Sequence, residues 1–230
     1  MADAALDRPP LRERKKLRTR RALVDTALEL FTKNGFDNTT LDELCDAVDV
    51  SKRTFFRTFT SKEDVAMAPL RDMWAAFLHE LETREPRTGS LYEILQDSVL
   101  AALERMPAPD WADRAARSHR LAQSTPSMGA NNLQFCDRTV REALEILHRR
   151  FGAGLPADQR PRLALDIVVA AFHCGMEAWS DSSSEGDTVG LADHLREAFT
   201  AAPGALVLVP DPRAAGRVGY PAPGRSRTNR

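Results

Sequence analysis

The segment DVSKRTFFRTFTSKED, residues 49–64, alternates aromatic rings with cationic side chains. Arginine and lysine donate hydrogen bonds to phosphate oxygens and to the edge of guanine, whereas phenylalanine rings favour burial away from water. A short helix satisfies both demands, because Phe55 and Phe59 stand four positions apart and share one side of it. Arg53 and Arg57 then point into solvent. The pattern predicts a helix with an aromatic underside and a cationic outer face, which suits an anionic polymer.

A second short helix is predicted just before this one. Thr39 or Thr40 can begin it, and Glu43 stands three residues after Thr40 at the spacing of a capping box. Asp49 and Ser51 interrupt the apolar pattern, so only a short turn separates the two helices. Two short helices joined in this way, the second packed on a third, form a helix-turn-helix, and the major groove of B-DNA admits a helix of this width.

Basic charge is concentrated near the start of the chain. Residues 1–62 carry 13 basic and 10 acidic side chains, residues 63–202 carry 14 and 22, and residues 203–230 carry 5 and 1. The run RPPLRERKKLRTRR, which leads into the first helix, holds eight of the cations and one acid. A basic N-terminal segment in front of an acidic remainder indicates that the N-terminal segment binds an anionic partner. Charge alone leaves open that these cations are merely solvated.

Almost the whole chain is predicted to be helical. The first helix covers residues 12–34 and ends before Gly35, a residue suited to a helix C-terminus. Segments rich in Pro, Gly, Ser and Asp divide the remainder. Beyond the two short helices, six more are predicted, over residues 62–82, 90–106, 109–123, 128–151, 158–181 and 188–201.

A set of positions between about Leu17 and Val65 has a distinctive order and spacing: Arg20, Leu23, Ala27, Leu30, Phe31, Gly35, Phe36, Thr39, Thr40, Leu41, Leu44, Ala47, Val50, Ser51, Thr54, Phe55, Phe59, Lys62 and Glu63. With this set, the segment resembles the DNA-binding domain of the TetR family of transcriptional regulators. The resemblance implies an all-α protein in which a three-helix, N-terminal helix-turn-helix domain is followed by a six-helix ligand-binding and dimerisation domain. The expected divisions are a disordered N-terminus at 1–11, the DNA-binding domain at 12–60, the helical second domain at 61–202 and a disordered Pro/Gly/Arg-rich tail at 203–230.

The resemblance and the outer face of the short helix together indicate which residues face DNA. Phe56 replaces the common tyrosine and lacks its hydroxyl, and Asp49 stands where glycine is frequent, although aspartate tolerates a left-handed turn. Thr40 and Lys62 stand at helix N-termini, where the helix dipole favours a phosphate oxygen. The predicted DNA-binding residues are Thr40, Ser51, Lys52, Arg53, Thr54, Phe56, Arg57, Thr58 and Lys62.

A homodimer is expected, because one short helix contacts only a few base pairs and an operator of useful specificity needs two. The helix predicted over residues 158–181 is apolar on most of its sides, so one side can face its own domain and another a partner. The resemblance implies that the last two helices pair with their copies as a four-helix bundle; a core helix of a monomer is the alternative. The predicted interface residues are Ile167, Val168, Ala171, Gly175, Ala178, Trp179, Leu195 and Phe199.

The central helices, residues 90–181, are predicted to hold a cavity for an apolar small molecule, because bulky and polar residues recur on their apolar sides. Simple core packing is the competing interpretation of the same pattern. A ligand that shifts the helix beginning at Lys62 would change the separation of the two DNA-binding domains. We therefore expect a ligand-released repressor, with activation left open. The predicted lining residues are Phe77, Leu103, Trp111, His119, Asn132, Phe135, Phe172, His173 and Met176.

Other functional classes have weaker support. His119, His173 and His194 are isolated, without HExxH or ExxH spacing, and the sequence has no glycine-rich nucleotide-binding loop, so neither an enzyme nor a metal or cofactor site is expected. The three cysteines are widely spaced within apolar helical patterns, which predicts reduced, buried thiols.

The absence of an uninterrupted apolar run of about 18 residues, and of an apolar signal sequence, predicts a cytoplasmic protein with no membrane partner. The remaining alternative function is a helical adaptor or ligand-binding protein whose basic N-terminal domain binds a protein partner.

Overall fold

Ten α-helices and no strand make up the described part of the chain in the computed structural model, which covers residues 10–85, 88–106, 110–152, 158–182 and 188–209. The all-α prediction is therefore confirmed. The helices are α1 Leu11–Asn34, α2 Leu41–Ala47, α3 Lys52–Phe56, α4 Lys62–Ala66, α5 Ala68–Thr83, α6 Leu91–Glu104, α7 Asp110–Ser124, α8 Pro126–Phe151, α9 Arg160–Ser180 and α10 Thr188–Ala205.

The two predicted disordered ends lie mostly outside the described residues, which begin at Pro10 and stop at Val209. Two boundaries differ from the sequence prediction. α1 begins at Leu11, one residue inside the segment expected to be disordered, and α10 continues to Ala205, past the expected end of the second domain at residue 202.

The helices α1, α2 and α3 pack around aromatic and aliphatic side chains that the helical periodicity places on their inner faces. Leu23, Phe31, Leu44 and Phe55 are each no more than 1% exposed, and Phe59, just after α3, is 3% exposed. Burial of each such side chain contributes about 1.5–3 kcal/mol, so this small cluster is sufficient to hold a five-residue helix in place.

Side-chain caps set the start of both short helices. The Thr40 hydroxyl accepts a hydrogen bond from the Glu43 amide, and the Glu43 carboxylate accepts one from the Thr40 amide at 2.7 Å, which completes the predicted capping box. Ser51 caps α3 by accepting from the Thr54 amide at 3.2 Å. Each cap of this kind is worth about 1 kcal/mol.

The prediction of one helix over residues 62–82 was wrong, because the structure divides this segment into α4 and α5 at Met67. Pro69 gives the physical reason. Proline has no backbone N–H to continue the hydrogen-bond ladder, but it is well tolerated in the first turn of a new helix. The short α4 that results contacts α1, α5 and α8, so it lies between the DNA-binding domain and the second domain.

Polar side chains at buried and half-buried positions join the helices α5 to α10, which lie in the segment predicted to form the second domain. Trp111 of α7 donates its indole N–H to the carbonyl oxygen of Pro69 in α5 at 3.1 Å. Tyr92 of α6 donates its hydroxyl to the carbonyl oxygen of Phe199 in α10 at 2.9 Å. These bonds join helices that are distant in sequence, so they help to fix the register of the bundle.

The contact between α9 and α10 corrects most of the predicted dimer interface. Gly175 lies so close to α10 that an added Cβ would stand 2.8 Å from Leu195 Cδ2 and 3.1 Å from the His194 carbonyl oxygen. The apolar residues that the sequence assigned to a partner are therefore satisfied by packing within one chain. The six predicted interface residues that are buried inside the protomer are Val168, Ala171, Gly175, Trp179, Leu195 and Phe199.

The described residues leave a different face of α9 uncovered, and we call it the α9 stripe. Its five apolar residues recur at helical spacing; Ile167 is half-buried and the other four are exposed. Cys174 is among the exposed residues, so the prediction of buried thiols holds for Cys45 but was wrong at this position. The stripe consists of Leu163, Ile167, Ala170, Cys174 and Ala178.

By length and mean hydropathy, α9 is the one described helix that could cross a membrane. Its buried face packs against α6, α7, α8 and α10, which is the environment of a core helix in a helical bundle. This packing explains the apolar composition without a membrane.

Candidate nucleic-acid interface and ligand cleft

The side chains around α3 separate by face as predicted, but the helix ends at Phe56, so Phe59 reaches the core from the turn that follows and not from the helix itself. Phe55 is 0% exposed, whereas Phe56 on the adjacent side is 55% exposed, and the two rings meet edge to face with centroids 5.4 Å apart. Arg53 and Arg57 are exposed to solvent. The aromatic underside therefore fixes α3 to the domain, while two guanidinium groups and one phenyl ring remain free to meet a groove of DNA.

The turn between α2 and α3 depends on an unusual backbone conformation. Asp49 has φ 55°, in the left-handed region. This conformation was predicted, because Asp49 stands where glycine is frequent and aspartate tolerates a left-handed turn. Two hydrogen bonds close the turn around it, from the Asp49 amide to Asp46 and from the Val50 amide to Cys45, at 3.1 and 3.0 Å. This conformation sets the direction in which α3 leaves α2.

A cationic cleft of about 720 Å³ lies between the first turns of α1 and the end of α3. Arg12, Lys15, Lys16 and Arg57 bring positive charge to it, against one carboxylate, Glu13. The sequence predicted that the basic run leads toward DNA but did not assign its individual residues. The full lining is Leu11, Arg12, Glu13, Lys15, Lys16, Thr19, Thr54, Arg57 and Thr58.

Two predicted DNA-binding residues are exposed but engaged with acidic neighbours. The Lys52 ammonium lies 2.7 Å from the Asp42 carboxylate, and the hydrogen bond to that carboxylate raises the pKa of Lys52. The Thr40 hydroxyl donates to the Glu43 carboxylate at 3.0 Å, and hydrogen bonds from the Thr40 amide and hydroxyl lower the pKa of Glu43. Both partners are exposed side chains, so phosphate can compete for these groups.

Lys62 requires a correction to the predicted DNA-binding set. Its side chain is half-buried, and the ammonium donates to the carbonyl oxygens of Phe36 at 2.9 Å and Thr39 at 2.8 Å. The same ammonium lies 4.6 Å from the centroid of the Phe36 ring. Lys62 is thus directed into the domain, where it ties α4 to the loop between α1 and α2. The sequence could not reveal this role, because the loop that binds Lys62 stands more than 20 residues earlier.

Arginine residues of α1 and α7 join the DNA-binding domain to the second domain. Arg20 forms a two-pronged salt bridge with Asp72 of α5, with both distances 2.8 Å, and its guanidinium carbon lies 5.4 Å from the Phe59 ring centroid. Arg114 of α7 contacts Asp25 of α1 at 3.4 Å. The position of α3 is therefore coupled to α5 and α7 through α1 and Phe59.

A second cleft, of about 270 Å³, opens among α5, α7, α8 and α9, and we call it the ligand cleft. Five of the predicted pocket residues line it: His119, Asn132, Phe135, Phe172 and His173. Its other walls were not predicted, and they include the junction of α4 and α5. These additional lining residues are Met67, Leu70, Arg71, Trp74, Ala122, Gln123, Gly129 and Glu177.

The other four predicted pocket residues lie in the core and do not line this cleft. Phe77 is 1%, Leu103 2%, Trp111 2% and Met176 0% exposed. For these residues the core-packing interpretation is correct, because a bulky apolar residue at helical spacing gives the same sequence signal in a cavity wall and in a close-packed interior.

The two histidines of the ligand cleft favour their neutral forms. Burial lowers the pKa of His119, and the nearby His173 lowers it further, while Glu177 and Asp181 raise it to a smaller extent. His173 stands at the solvent-exposed mouth of the cleft, yet displacement of water by surrounding protein atoms lowers its pKa against the opposing effect of Glu177. Neutral imidazoles both donate and accept, so these rings can bind hydroxyl or carbonyl groups of a ligand.

No group of three or more His, Cys, Asp or Glu side chains that could hold a metal ion occurs within the described ranges.

Known proteins share this sequence pattern and fold. A family model for the "Bacterial regulatory proteins, tetR family" matches residues 23–68. The chain is 34% identical over 175 residues to the HTH-type transcriptional regulator TcmR of Streptomyces glaucescens, covering 74% of this chain and 77% of that protein. It is 30% identical over 91 residues to a protein of Escherichia coli (strain K12) named "Probable acrEF/envCD operon repressor", covering 40% of this chain and 34% of that protein.

A solved structure shows the same fold. A TetR-family transcriptional regulator from Syntrophomonas wolfei str. Goettingen superposes with a TM-score of 0.56 at 19% sequence identity, covering 84% of this chain and 99% of that chain.

Proposed function

The chain belongs to the TetR family of bacterial transcriptional regulators, and from that premise we propose that it is a homodimeric cytoplasmic repressor, released from its operator by an apolar small molecule. The observation that carries this proposal is the position of α4. Met67, just after α4, lines the ligand cleft, and Lys62, in the first turn of α4, holds the loop before α2. A molecule in the cleft therefore contacts the element on which the DNA-binding domain rests.

On the DNA side, we propose that α3 enters the major groove with Arg53, Arg57 and Phe56 toward the bases. The cations of the α1–α3 cleft, Lys15 and Lys16 among them, would neutralise phosphates beside that groove. Thr40, Ser51, Lys52, Thr54 and Thr58 remain in the proposed contact set, and Lys62 is left out because its ammonium is bound within the protein.

On the regulatory side, half-sites of an operator lie about 34–36 Å apart for each turn of DNA, so a small change in the separation of two α3 helices prevents both from binding. Movement of α4 or of the Arg20–Asp72 salt bridge would produce such a change. The similarity to a protein named as an operon repressor favours repression over activation.

The dimer is proposed to form along the α9 stripe, in place of the residues that are buried in the protomer. The stripe is apolar and continues over the length of α9, and Ala170, Cys174 and Ala178 are small enough for a second helix to approach closely. Pairing of two copies places two α3 helices on one duplex.

The test is binding of the full chain to duplexes selected from a random pool, measured by fluorescence anisotropy across a salt series. Affinity should fall steeply with salt, because each neutralised phosphate releases counterions. Arg53→Ala should cost about 1–3 kcal/mol on the selected duplex and relax its specificity. Lys16→Ala should instead weaken selected and random duplexes alike.

Arg141→Ala, on the outer surface of α8, is the matched control and should leave DNA affinity unchanged. The adaptor alternative predicts that Arg53→Ala and Lys16→Ala leave duplex binding intact while they abolish binding to an acidic protein. That result would refute the assignment of the α3 face to DNA.

A further inference from the structure

We propose that the ligand of this regulator is an aromatic acid whose anionic oxygen binds Arg71 of α5 in competition with Asp64 of α4. The inference rests on the proposed release function and revises its ligand: the body of the molecule stays aromatic and apolar, but it carries one anionic group. It also names the contact that the ligand breaks.

Arg71 stands where the ligand cleft meets the DNA-binding side of the domain. One terminal nitrogen of its guanidinium binds the Asp64 carboxylate, and the other binds the side-chain oxygen of Asn131 in α8. Its Nε is buried and has no hydrogen-bond partner among the residues that the structure describes. The guanidinium carbon lies 5.0 Å from the centroid of the Phe135 ring. Arg71 lines the cleft and its guanidinium retains one unused donor, which a ligand oxygen can satisfy when it takes the place of Asp64.

The other walls of the cleft indicate an aromatic ligand. Trp74 and Phe172 meet edge to face with ring centroids 4.9 Å apart, and Phe135 forms a further aromatic wall. Trp74 and Phe172 are only 5% and 2% exposed, so a flat aromatic ligand would meet the edges of these rings, an arrangement that aromatic pairs favour. His119 and Gln123, whose side chains lie 3.1 Å apart, provide polar groups for a second oxygen of the ligand. Among the described lining residues, Arg71 is the one permanent cation and Glu177 the one carboxylate, and Glu177 is exposed. A ligand anion therefore binds at Arg71, where it takes the place of the Asp64 carboxylate.

Asp64 explains how an acid in this cleft would reach the DNA-binding domain. One carboxylate oxygen binds Arg71, while the other accepts hydrogen bonds from the Thr60 amide at 2.8 Å and the Thr60 hydroxyl at 2.9 Å. Thr60 directly follows Phe59, the residue that anchors the end of α3. Arg71 and Asp64 are 18% and 17% exposed, so their pairing is little weakened by solvent. A ligand anion that takes Arg71 frees Asp64 and the segment after α3 from α5.

The experiment compares three probes of the same shape, 2-naphthoic acid, 2-naphthamide and 2-(aminomethyl)naphthalene, by calorimetric titration into the full chain at pH 7.5. The acid should bind at least tenfold more tightly than the amide, and the amine most weakly. Arg71→Gln should abolish the preference for the acid. Asp64→Asn removes the competing carboxylate and should strengthen binding of the acid several-fold.

Arg138→Gln is the matched control, because Arg138 also lies over the Phe135 ring, at 5.6 Å, but lines the outer groove between α5 and α8 and not the ligand cleft. It should retain the preference for the acid. Equal binding of acid and amide to the wild-type chain, or binding of none of the three probes, overturns the inference without reliance on any variant.

A second arm separates this inference from the proposed function. 2-Naphthoic acid is added to the wild-type chain bound to its selected duplex, and dissociation is followed by anisotropy. Acid binding that depends on Arg71 but leaves the duplex bound supports the ligand class and refutes ligand release. Release by the amide and the acid alike supports ligand release and overturns the role of the Arg71–Asp64 contact.

Discussion

Asp49 and Lys62 show how single residues fix the position of α3. Asp49 adopts φ 55° in the turn before the helix, and Lys62 holds the loop before α2 through two backbone carbonyl groups. Neither residue has to touch DNA to affect DNA binding. Under the proposed function, each acts by setting the direction from which Arg53 and Arg57 approach the groove.

Substitution of Lys62 by methionine should destabilise the protein. The change keeps most of the side-chain volume but leaves the Phe36 and Thr39 carbonyl groups without a donor, which we expect to cost about 1–3 kcal/mol of unfolding free energy. Urea unfolding measures this quantity. Arg57→Met is the comparison, since Arg57 is exposed, and it should change stability by no more than about 0.5 kcal/mol while weakening DNA binding. Equal stability of both variants would mean that Lys62 is not structural.

His119 and His173 should make stability depend on pH. The pKa of each histidine is lowered in the folded protein. Near neutral pH, the unfolded chain therefore binds more protons than the folded chain. The contribution of the two neutral histidines to stability is present above the pKa of unfolded histidine, about 6.5. It is lost as the pH falls from that value toward the lower pKa of the folded protein. Urea unfolding at pH 7.5 and 5.5 should therefore show lower stability at the lower pH.

The double variant His119→Gln, His173→Gln should reduce this pH dependence, whereas His148→Gln, at an exposed position of α8, should preserve it. The same pH dependence in all three proteins would contradict the assignment to the cleft histidines.

At the scale of elements, α4 is the smallest helix that contacts both domains, and its length follows from Pro69. A continuous helix over residues 62–82 would move as one rod with α5. The break at Met67 instead leaves α4 attached to the DNA-binding side by Lys62 and to α5 by the Asp64–Arg71 pair. A short element held by two polar attachments is suited to transmit a change from one to the other.

The close approach of α9 and α10 gives a prediction for the second domain. Gly175→Ala places a Cβ 2.8 Å from Leu195 Cδ2 and 3.0 Å from its Cα, so the two helices must separate. We expect a loss of about 1–3 kcal/mol by thermal or urea unfolding. Gly129→Ala in α8 is the matched control, because nothing lies within 4 Å of its added Cβ, and it should stabilise the helix by up to about 1 kcal/mol. Similar effects at both glycines would show that α9 and α10 are not this close.

At the scale of the whole molecule, the proposed function requires two copies with a defined separation of their α3 helices. The α9 stripe is the surface that we expect to provide it, and Ala178→Arg should place an unpaired cation in that interface and yield monomers in light scattering. Leu133→Arg on α8, at a leucine that is 73% exposed, is the control and should remain a dimer. A dimer that survives Ala170→Arg and Ala178→Arg would exclude the stripe as the interface.

Loss of the dimer should also weaken binding to a two-half-site operator far more than binding to a single half-site, since only the former depends on two linked α3 helices. Anisotropy with both duplexes measures this difference. The comparison distinguishes a lost dimer interface from a misfolded DNA-binding domain, because misfolding would weaken binding to both duplexes equally.

The sequence by itself determined the all-helical fold, the helix-turn-helix and the two faces of α3, but it did not predict the break between α4 and α5. These depend on contacts between residues close along the chain, such as Thr40 with Glu43, Ser51 with Thr54, and Phe55 with Phe59, and such contacts have a regular spacing. The family resemblance rests on the same local pattern, which is why it was found in the DNA-binding domain and not in the second domain.

Only the tertiary structure decided where Lys62 points, which side of α9 is buried and which bulky residues line a cavity. Each of these depends on a partner far along the chain: Phe36 and Thr39 for Lys62, α10 for Gly175 and Asn131 of α8 for Arg71. Burial favours any apolar side chain equally, whether the covering surface is its own core, a partner or a ligand, so composition and spacing cannot distinguish the three.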